Sequence, residues 1–451
     1  MGALMICISD DHPDLMEFIT HKSDLNLTTG ANMSVKFSDN FFETLKNDGD
    51  WVMSFKRPET GQEIIETKKA SEIIQVLAET NWGYGEPGIL YWDRINKYCL
   101  LGEDPSFRYE ATNPCVSGDT LILTEYGYIP IEKLVGYSIN IWNGFEWSEV
   151  QPMITGQNQP MRGITFSDGT YLRCTEYHKF ILSDGTRIEA KDLRPEMKLM
   201  KHKFPIIEGT IELPEKTAYT KGFLAGDGTV SRNGDCHIYL YGAKKDLRPF
   251  MDYMSERPGE GDRITIRLDK NNYNTIGDKF YVPDAQFTIR TRLNWLAGIV
   301  DSDGTLNSED GSIAITSIHH GFLKEIKFML NTLGCTGKIG LNKECMYKMM
   351  PTGAYDEDGN RKEKEYFCRP SYRLVINASN VFELMQIGFV THRVPLVANP
   401  NRDASRFVVV ETNMPSGIEP LVYCFNEPKN HSGVFNGIMT ANCGVNTQHS
   451  R

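Results

Sequence analysis

The chain has 451 residues, 40% of them hydrophobic, enough to build several cores and so two to four domains. Its 48 Lys and Arg stand against 59 Asp and Glu, a net charge of −11, so only a locally basic segment could approach a polyanion. No run of about 18 apolar residues marks a membrane span, the start "MGALMICISDDHPD" lacks the features of a signal peptide, Ile6 stands where a myristoylation site needs Ser or Thr, and the ten cysteines form no CxxC pair; a reduced, cytoplasmic protein with no membrane partner is expected.

Residues 1–114 mix helical patterns ("DNFFETLKNDGDW", "KKASEIIQVLAETNW") with short apolar runs such as "GALMICI", an α/β style. At Cys115 the texture changes. Through residue 205, "TLILTEYGYIPI", "YSINIWNGFEWSEV", "MRGITFSDGTYLRCT" and "HKFILSDGTRIEA" read as short strands separated by Gly and Asp-Gly turns. From 216 to 402 helices and strands alternate, with "RPGEGDR" and "GAYDEDGNRKEKE" as exposed loops. The stretch 403–442 returns to β, and 443–451 is a short tail. A β unit interrupted by an α/β insert is the economical reading. Residues 221–402 carry 24 Lys and Arg against 22 Asp and Glu, so DNA binding by the insert requires its positive charges gathered on one face.

The insert contains Leu296-Ala297-Gly298-Ile299-Val300-Asp301-Ser302-Asp303-Gly304, and "TKGFLAGDGTV" keeps Gly222, Asp227 and Gly228 in the same register. These stretches resemble the two signature motifs of LAGLIDADG homing endonucleases. The resemblance implies two packed helices, each delivering one carboxylate, Asp227 and Asp303, to scissile phosphates through Mg²⁺. It also implies a monomer acting on double-stranded DNA. "GDKFYVPDAQF" is similar to the family stretch that places a Lys shortly before a Pro, which makes Lys279 the candidate for polarising water or steadying phosphate. For the second half, spacing does not choose among Lys338, Lys343 and Lys348.

Cys115 with "VSGDTLILT", then "DGTYLRCTEYHKF", and finally "NHSGVFNGIMTAN" before Cys443 are similar to the splicing motifs of inteins. The resemblance implies that Cys115 attacks the carbonyl of Pro114 in an N-to-S acyl shift, that Cys443 takes over the acyl group, and that Asn442 cyclises to release the intein, with no cofactor. Thr175 and His178 would attend the first scissile bond and His431 the second. Ala441 stands where such proteins usually have His, and Cys424 where many have Asp. Cys174 is left to core packing.

The flanks, "GALMICISDDHPDLMEFITHKSD", "WGYGEPGILYWDRIN" and "EATNPC", are similar to the catalytic barrel of the ribonucleotide reductase large subunit. Joining Pro114 to Cys443 restores "ATNPCG", in which that family's Cys carries the radical, although Val445 replaces the family's Glu two positions on. The expected architecture is a multidomain chain: reductase fragment 1–114, a mostly-β horseshoe splicing domain of the Hint type from 115–205 and 403–442, an inserted α/β endonuclease at 216–402, and a host remnant at 443–451. Three functions stay open: a self-splicing, DNA-cleaving intein whose joined flanks associate with other reductase pieces; a ribonucleoside-diphosphate reductase carrying an insert; and a degenerate element with neither activity.

Overall fold

Parallel strands cannot be joined by a tight turn, and the N-terminal segment follows that constraint. Strands Leu4–Ser9, Ala31–Phe37 and Gly88–Tyr91 form a parallel sheet in that order. Helices Leu15–Thr20, Asp39–Lys46 and Ala70–Tyr84 lie between them in sequence and bury Leu15, Phe41, Ile73 and Leu77 with Val35 and Phe37. The middle helix begins where the Ser38 hydroxyl accepts the Phe41 N–H, and Ser38 is itself held by the Asp10 carboxylate at 2.7 Å. The structure, a computed structural model, describes residues 4–21, 31–57, 62–97, 115–259, 261–274, 279–355, 361–398 and 407–441.

The β unit is woven from both sides of the insert. Strand Val410–Cys424 pairs along its length with Met153–Phe166, and the two close a barrel with Tyr171–Thr175 and Val116–Ser117. In the adjoining eight-stranded sheet, Ser432–Phe435 and Ile438–Ala441 lie between Leu121–Thr124 and Lys179–Ile181. Alternation of apolar residues along these strands buries Ile122, Ile164, Phe166, Leu172, Phe180, Phe425 and Phe435 in one core. The expected Asp-Gly turns are present, with Gly169 and Gly185 at φ +81° and +86°. Together these sheets form the mostly-β splicing-type unit expected from the sequence.

The insert repeats one plan twice. Helices Glu215–Asp227 and Ile289–Asp303 each run directly into the first strand of a four-stranded antiparallel sheet, Gly228–Val230 in one half and Gly304–Leu306 in the other. The helices meet backbone to backbone. A Cβ on Gly222 would overlap the Trp295 carbonyl oxygen, and one on Gly298 would overlap that of Tyr219. The glycines therefore serve close approach here, because any side chain would push the helix ends, and their carboxylates, apart. Among the described residues, no helix is long and apolar enough to cross a membrane.

One expectation is corrected. "GAYDEDGNRKEKE" is no simple loop: strands Met346–Tyr355 and Arg361–Cys368 pair as a two-stranded antiparallel hairpin. Likewise "RPGEGDR" begins in strand Ser255–Pro258. Polar, charged residues hide a strand when neither face is covered, since sequence patterning reports burial rather than ladder hydrogen bonds.

The helix contact generates a test. Gly298→Val should lower the melting temperature of the nuclease unit by about 5 °C or more, from overpacking of roughly 1–3 kcal/mol. Gly340→Ala, where an added Cβ meets nothing within 4 Å, should leave it unchanged. Equal melting of the two variants, read by calorimetry on a Cys115→Ala background, would rule out the tight helix contact.

Candidate active sites

The insert brings Asp227 and Asp303 to the C-terminal ends of its two packed helices. Asp303 lies against Gly226, the neighbour of Asp227. Burial, reinforced by the charge of Asp227, raises the Asp303 pKa, and Lys244, Lys279 and Arg393 only partly offset this. Among the described residues, nothing donates a hydrogen bond to the Asp303 carboxylate. Asp227 is ion-paired with Lys244. Lys279 donates to the Gly226 carbonyl at 3.1 Å; burial lowers its pKa while the two aspartates pull it back up.

The second half answers the question that spacing left open. Among the described residues, no hydrogen bond or ion pair joins Lys338, Lys343 or Lys348 to either aspartate. Instead Arg393 caps the second motif helix, donating to the carbonyls of Asp301 and of Gly304, the latter at 3.1 Å. Its Nη2 also reaches the Ser302 carbonyl at 3.5 Å, the counterpart of the Lys279 contact with Gly226. Sequence reasoning missed Arg393, although Arg393-Val394-Pro395 repeats the basic-residue-before-Pro signal around Lys279. It also missed Lys244, for which no local signal exists. Asp301 is structural: fully buried, it accepts from the Tyr219 hydroxyl at 2.8 Å and from the backbone N–H of His392, Arg393 and Val394.

Cys115 sits at the mouth of the β barrel, 2% exposed. Its N–H donates to Thr175 Oγ1 at 3.0 Å, and its carbonyl accepts the Thr175 N–H at 2.8 Å, a two-point hold that fixes the peptide around the nucleophile. Thr155, on the strand Met153–Phe166, places its hydroxyl 2.9 Å from the Cys115 sulfur. The sequence offered no signal for Thr155, because the contact crosses between strands 40 residues apart. Cys424 packs in the same small cluster with Cys115, Met161 and Val422, one step along the ladder from the Tyr423–Val116 pair. Cys174 lies in the barrel core, where burial pushes its thiol pKa up.

His178 follows Thr175 in a turn, its N–H donating to the Thr175 carbonyl at 3.1 Å. Its Nε2 shares a hydrogen bond of 2.9 Å with Thr440 Oγ1, on the strand that ends at Ala441. Among the described residues Nδ1 has no partner. Phe180 and Phe435 flank the ring edge-on, and burial lowers its pKa to about 3, so the ring is neutral at pH 7. His431 sits at φ +49°, with Nδ1 buried and without a partner among the described residues. The loop carrying it is organised by Glu427, fully buried, which accepts the N–H groups of Lys429, Asn430 and Ser432. Burial works to raise the Glu427 pKa, but the nearby Ser148 hydroxyl, the Asn430 and Lys429 N–H groups and the Asn143 amide outweigh it and hold the pKa below the usual carboxylate range. Pro114, Asn442, Cys443 and Val445 lie outside the described residues.

Among the described residues, no third His, Cys, Asp or Glu joins Asp227 and Asp303. Two crowded carboxylates at helix ends still suit a hard divalent cation, which takes the remainder of its shell from water and phosphate.

Comparison with known proteins follows the same divisions. Residues 1–118 match the ribonucleotide reductase barrel domain, and residues 290–384 match a LAGLIDADG-like domain. The ribonucleoside-diphosphate reductase large subunit of Invertebrate iridescent virus 6 is 34% identical over 98% of this chain and 48% of its own length. The NrdEB subunit alpha of Bacillus subtilis (strain 168) is 24% identical over 100% and 49%. The chain thus spans about half the length of these curated relatives. Among solved structures, the Ssp DnaB mini-intein variant M86 is 9% identical with a TM-score of 0.28, over 75% of this chain and 99% of that one. I-DmoI in complex with DNA and Ca is 15% identical with a TM-score of 0.26, over 41% and 93%, and it has also been solved with DNA and Mn. The chain thus carries a ribonucleotide reductase barrel-domain match at its start and a LAGLIDADG-like match in the second half of the insert, with a β unit whose strands pair across that insert between them.

Proposed function

We propose that residues 115–442 excise themselves by autocatalytic splicing and that the inserted unit cleaves double-stranded DNA. The observation that carries the splicing reading is the enclosure of Cys115 between Thr175 and Thr155, in a barrel closed by strands from both sides of the insert. The end of the barrel-domain match at residue 118, beside Cys115, supports the same junction.

The chemistry runs through this chain's own groups. Thr155 donates to the developing Cys115 thiolate while Thr175 orients the amide nitrogen that must leave. Cys115 sulfur attacks the Pro114 carbonyl, the C–N bond breaks, and the freed amine takes up a proton. Cys443 sulfur then attacks the thioester and releases the Cys115 thiol. Asn442 attacks its own carbonyl through the side-chain nitrogen, forming a succinimide and freeing the Cys443 amine. That amine captures the neighbouring thioester to give the peptide bond. Neutral His178 serves as a proton acceptor and hydrogen-bond partner between the two junctions rather than as a preformed imidazolium, and the Glu427 loop holds His431 for the second cleavage. Because both cysteines belong to one chain, the transfer is intramolecular.

In the nuclease, Asp227 and Asp303 would hold a divalent cation of the Mg²⁺ class, which when bound supplies charge stabilisation for phosphodiester hydrolysis. Lys244, Lys279 and Arg393 keep the carboxylates apart, cap the helix ends and offer positive charge to phosphate. Two motifs in one chain fit a monomer. The barrel match over 1–118 favours a further reading, in which the joined flanks work with other segments of a ribonucleoside-diphosphate reductase.

Intact-mass analysis of freshly expressed protein tests splicing. Free intein of 328 residues with joined flanks of 123 residues is expected from the parent, and unprocessed 51.2 kDa precursor from Cys115→Ala. Asp303→Ala should splice normally and lose DNA cleavage. A parent that stays at 51.2 kDa with or without added thiol would sink the splicing reading.

The buried His178 gives a pH prediction. Its folded pKa lies below the unfolded value of about 6.5, so the unfolded chain binds the proton first. Its contribution to stability is complete above pH 6.5 and is lost as pH falls toward 3. Between pH 6.5 and 4.5, urea unfolding of Cys115→Ala precursor should show about 2–3 kcal/mol more loss than the same precursor carrying His178→Gln. Identical pH profiles would mean that His178 is solvated.

A further inference from the structure

Resting on the splicing reading above, we propose that the nuclease helix His320–Asn331 is a positioning element of the C-terminal splice junction. A passenger domain needs only its two chain connections to its carrier. Beyond those connections, this one makes two sets of polar contacts with it.

The first is a buried ion pair. Lys327, 4% exposed, donates to Asp168 Oδ2 at 2.6 Å, to the Asp168 carbonyl at 3.1 Å and to Thr170 Oγ1 at 2.7 Å. All three ammonium protons are thus spent on the turn between the β-unit strands Met153–Phe166 and Tyr171–Thr175. Burial works against the Asp168 carboxylate, but Lys327 and Thr170 outweigh it and hold its pKa below the usual range. Gly169 in the same turn fits under the Ile339 carbonyl, where a Cβ would clash.

The second set grips the hairpin that leads to the junction. Tyr128, half-buried on strand Gly127–Pro130, packs its ring 4.6 Å from Phe328, and its hydroxyl hydrogen-bonds the Asn331 amide at 2.9 Å. With the amide turned to satisfy both ends, Asn331 accepts from Tyr128 and donates to the Lys327 and Cys335 carbonyls. Against this pair lies the turn Asn436-Gly437, at φ +50° and +88°; a Cβ on Gly437 would stand 3.1 Å from Asn331 and 3.7 Å from the Tyr128 hydroxyl. Asn436 fixes the other side of the turn, exchanging hydrogen bonds with Leu121 at 2.8 Å and donating to the Tyr171 carbonyl at 2.9 Å. The connection itself is tied down by Arg292, fully buried, which donates to the Thr332 carbonyl and hydroxyl just past the helix and to the Ile207 carbonyl in the connection from the β unit.

From Gly437 the chain runs straight into Ile438–Ala441, which carries Thr440, the partner of His178, and stops one residue short of Asn442. A shift of the turn therefore tilts Ile438–Ala441, the strand to which Asn442 is joined in sequence. Intramolecular attack tolerates little such tilt, since rate falls steeply once the reacting atoms leave near-attack geometry. Tyr128, Lys327 and Asn331 act through the hairpin and touch no reacting atom.

The test separates the two half-reactions. Thiol-induced cleavage at Cys115 and cleavage after Asn442 are timed by mass spectrometry in the full chain and in Tyr128→Phe, Asn331→Ala and Lys327→Met. The expected result is a tenfold or greater slowing after Asn442, with thiol cleavage at Cys115 changed less than about twofold. Lys327→Met combined with Asp168→Asn, which removes the stranded charge, should recover most of the Asn442 rate. Equal slowing of both cleavages in every variant would overturn the proposal, reducing these contacts to general stability; unchanged rates in every variant would overturn it too. A parent that performs neither cleavage fails the splicing reading itself and this proposal with it.

Discussion

The pairing of Val410–Cys424 with Met153–Phe166 is the interaction on which the rest depends. It joins segments separated by the whole insert, closes the barrel around Cys115 and fixes the register that puts Thr155 beside the sulfur. Loop-closure entropy rises only with the logarithm of loop length, so a large insertion costs little once it folds by itself. The insert does so around its own helix contact and its own core. Two independently cohesive units can then share one chain without either unravelling the other.

Electrostatic logic differs between the two centres. In the nuclease, carboxylates are crowded and partly desolvated, an arrangement that attracts cations and that lysine and arginine only half neutralise. Around Cys115 the contrast is plain: the thiol is buried, His178 is held neutral, and Thr175 and Thr155 meet Cys115 through hydroxyl groups. Such a site activates by hydrogen bonds and position rather than by a strong field.

The fold class was legible because each unit announces itself locally. Alternating strands with Asp-Gly turns mark the β unit, and small residues at helical spacing with a terminal Asp mark the paired helices. Asp227, Asp303 and Lys279, like Cys115, Thr175 and His178, could be named as candidates because they fall in short motifs that resemble those of known families. Thr155, Lys244, Arg393 and Glu427 could not be named in the same way, because what distinguishes them is a neighbour supplied by another strand or helix. Arg393 comes nearest to an exception, since its Pro-linked setting echoes Lys279. The turn of His178 toward Thr440 was hidden for the same reason: the register of Phe180 with Thr440 is set by pairing across the insert. The hairpin Met346–Tyr355 with Arg361–Cys368 went unseen because it buries too little on either face to leave an apolar pattern.

The interleaved strand order also sets a clock. Cys115 leaves the ribosome about 300 residues before the strand Val410–Cys424 that completes its enclosure. At roughly 5–20 residues per second, synthesis of the intervening chain takes about 15–60 s. Throughout that interval the thiol exists without its barrel, so the bond before it is no more labile than any other peptide. Strand order thus delays any chemistry that needs the closed barrel until residues 410–424 have been made.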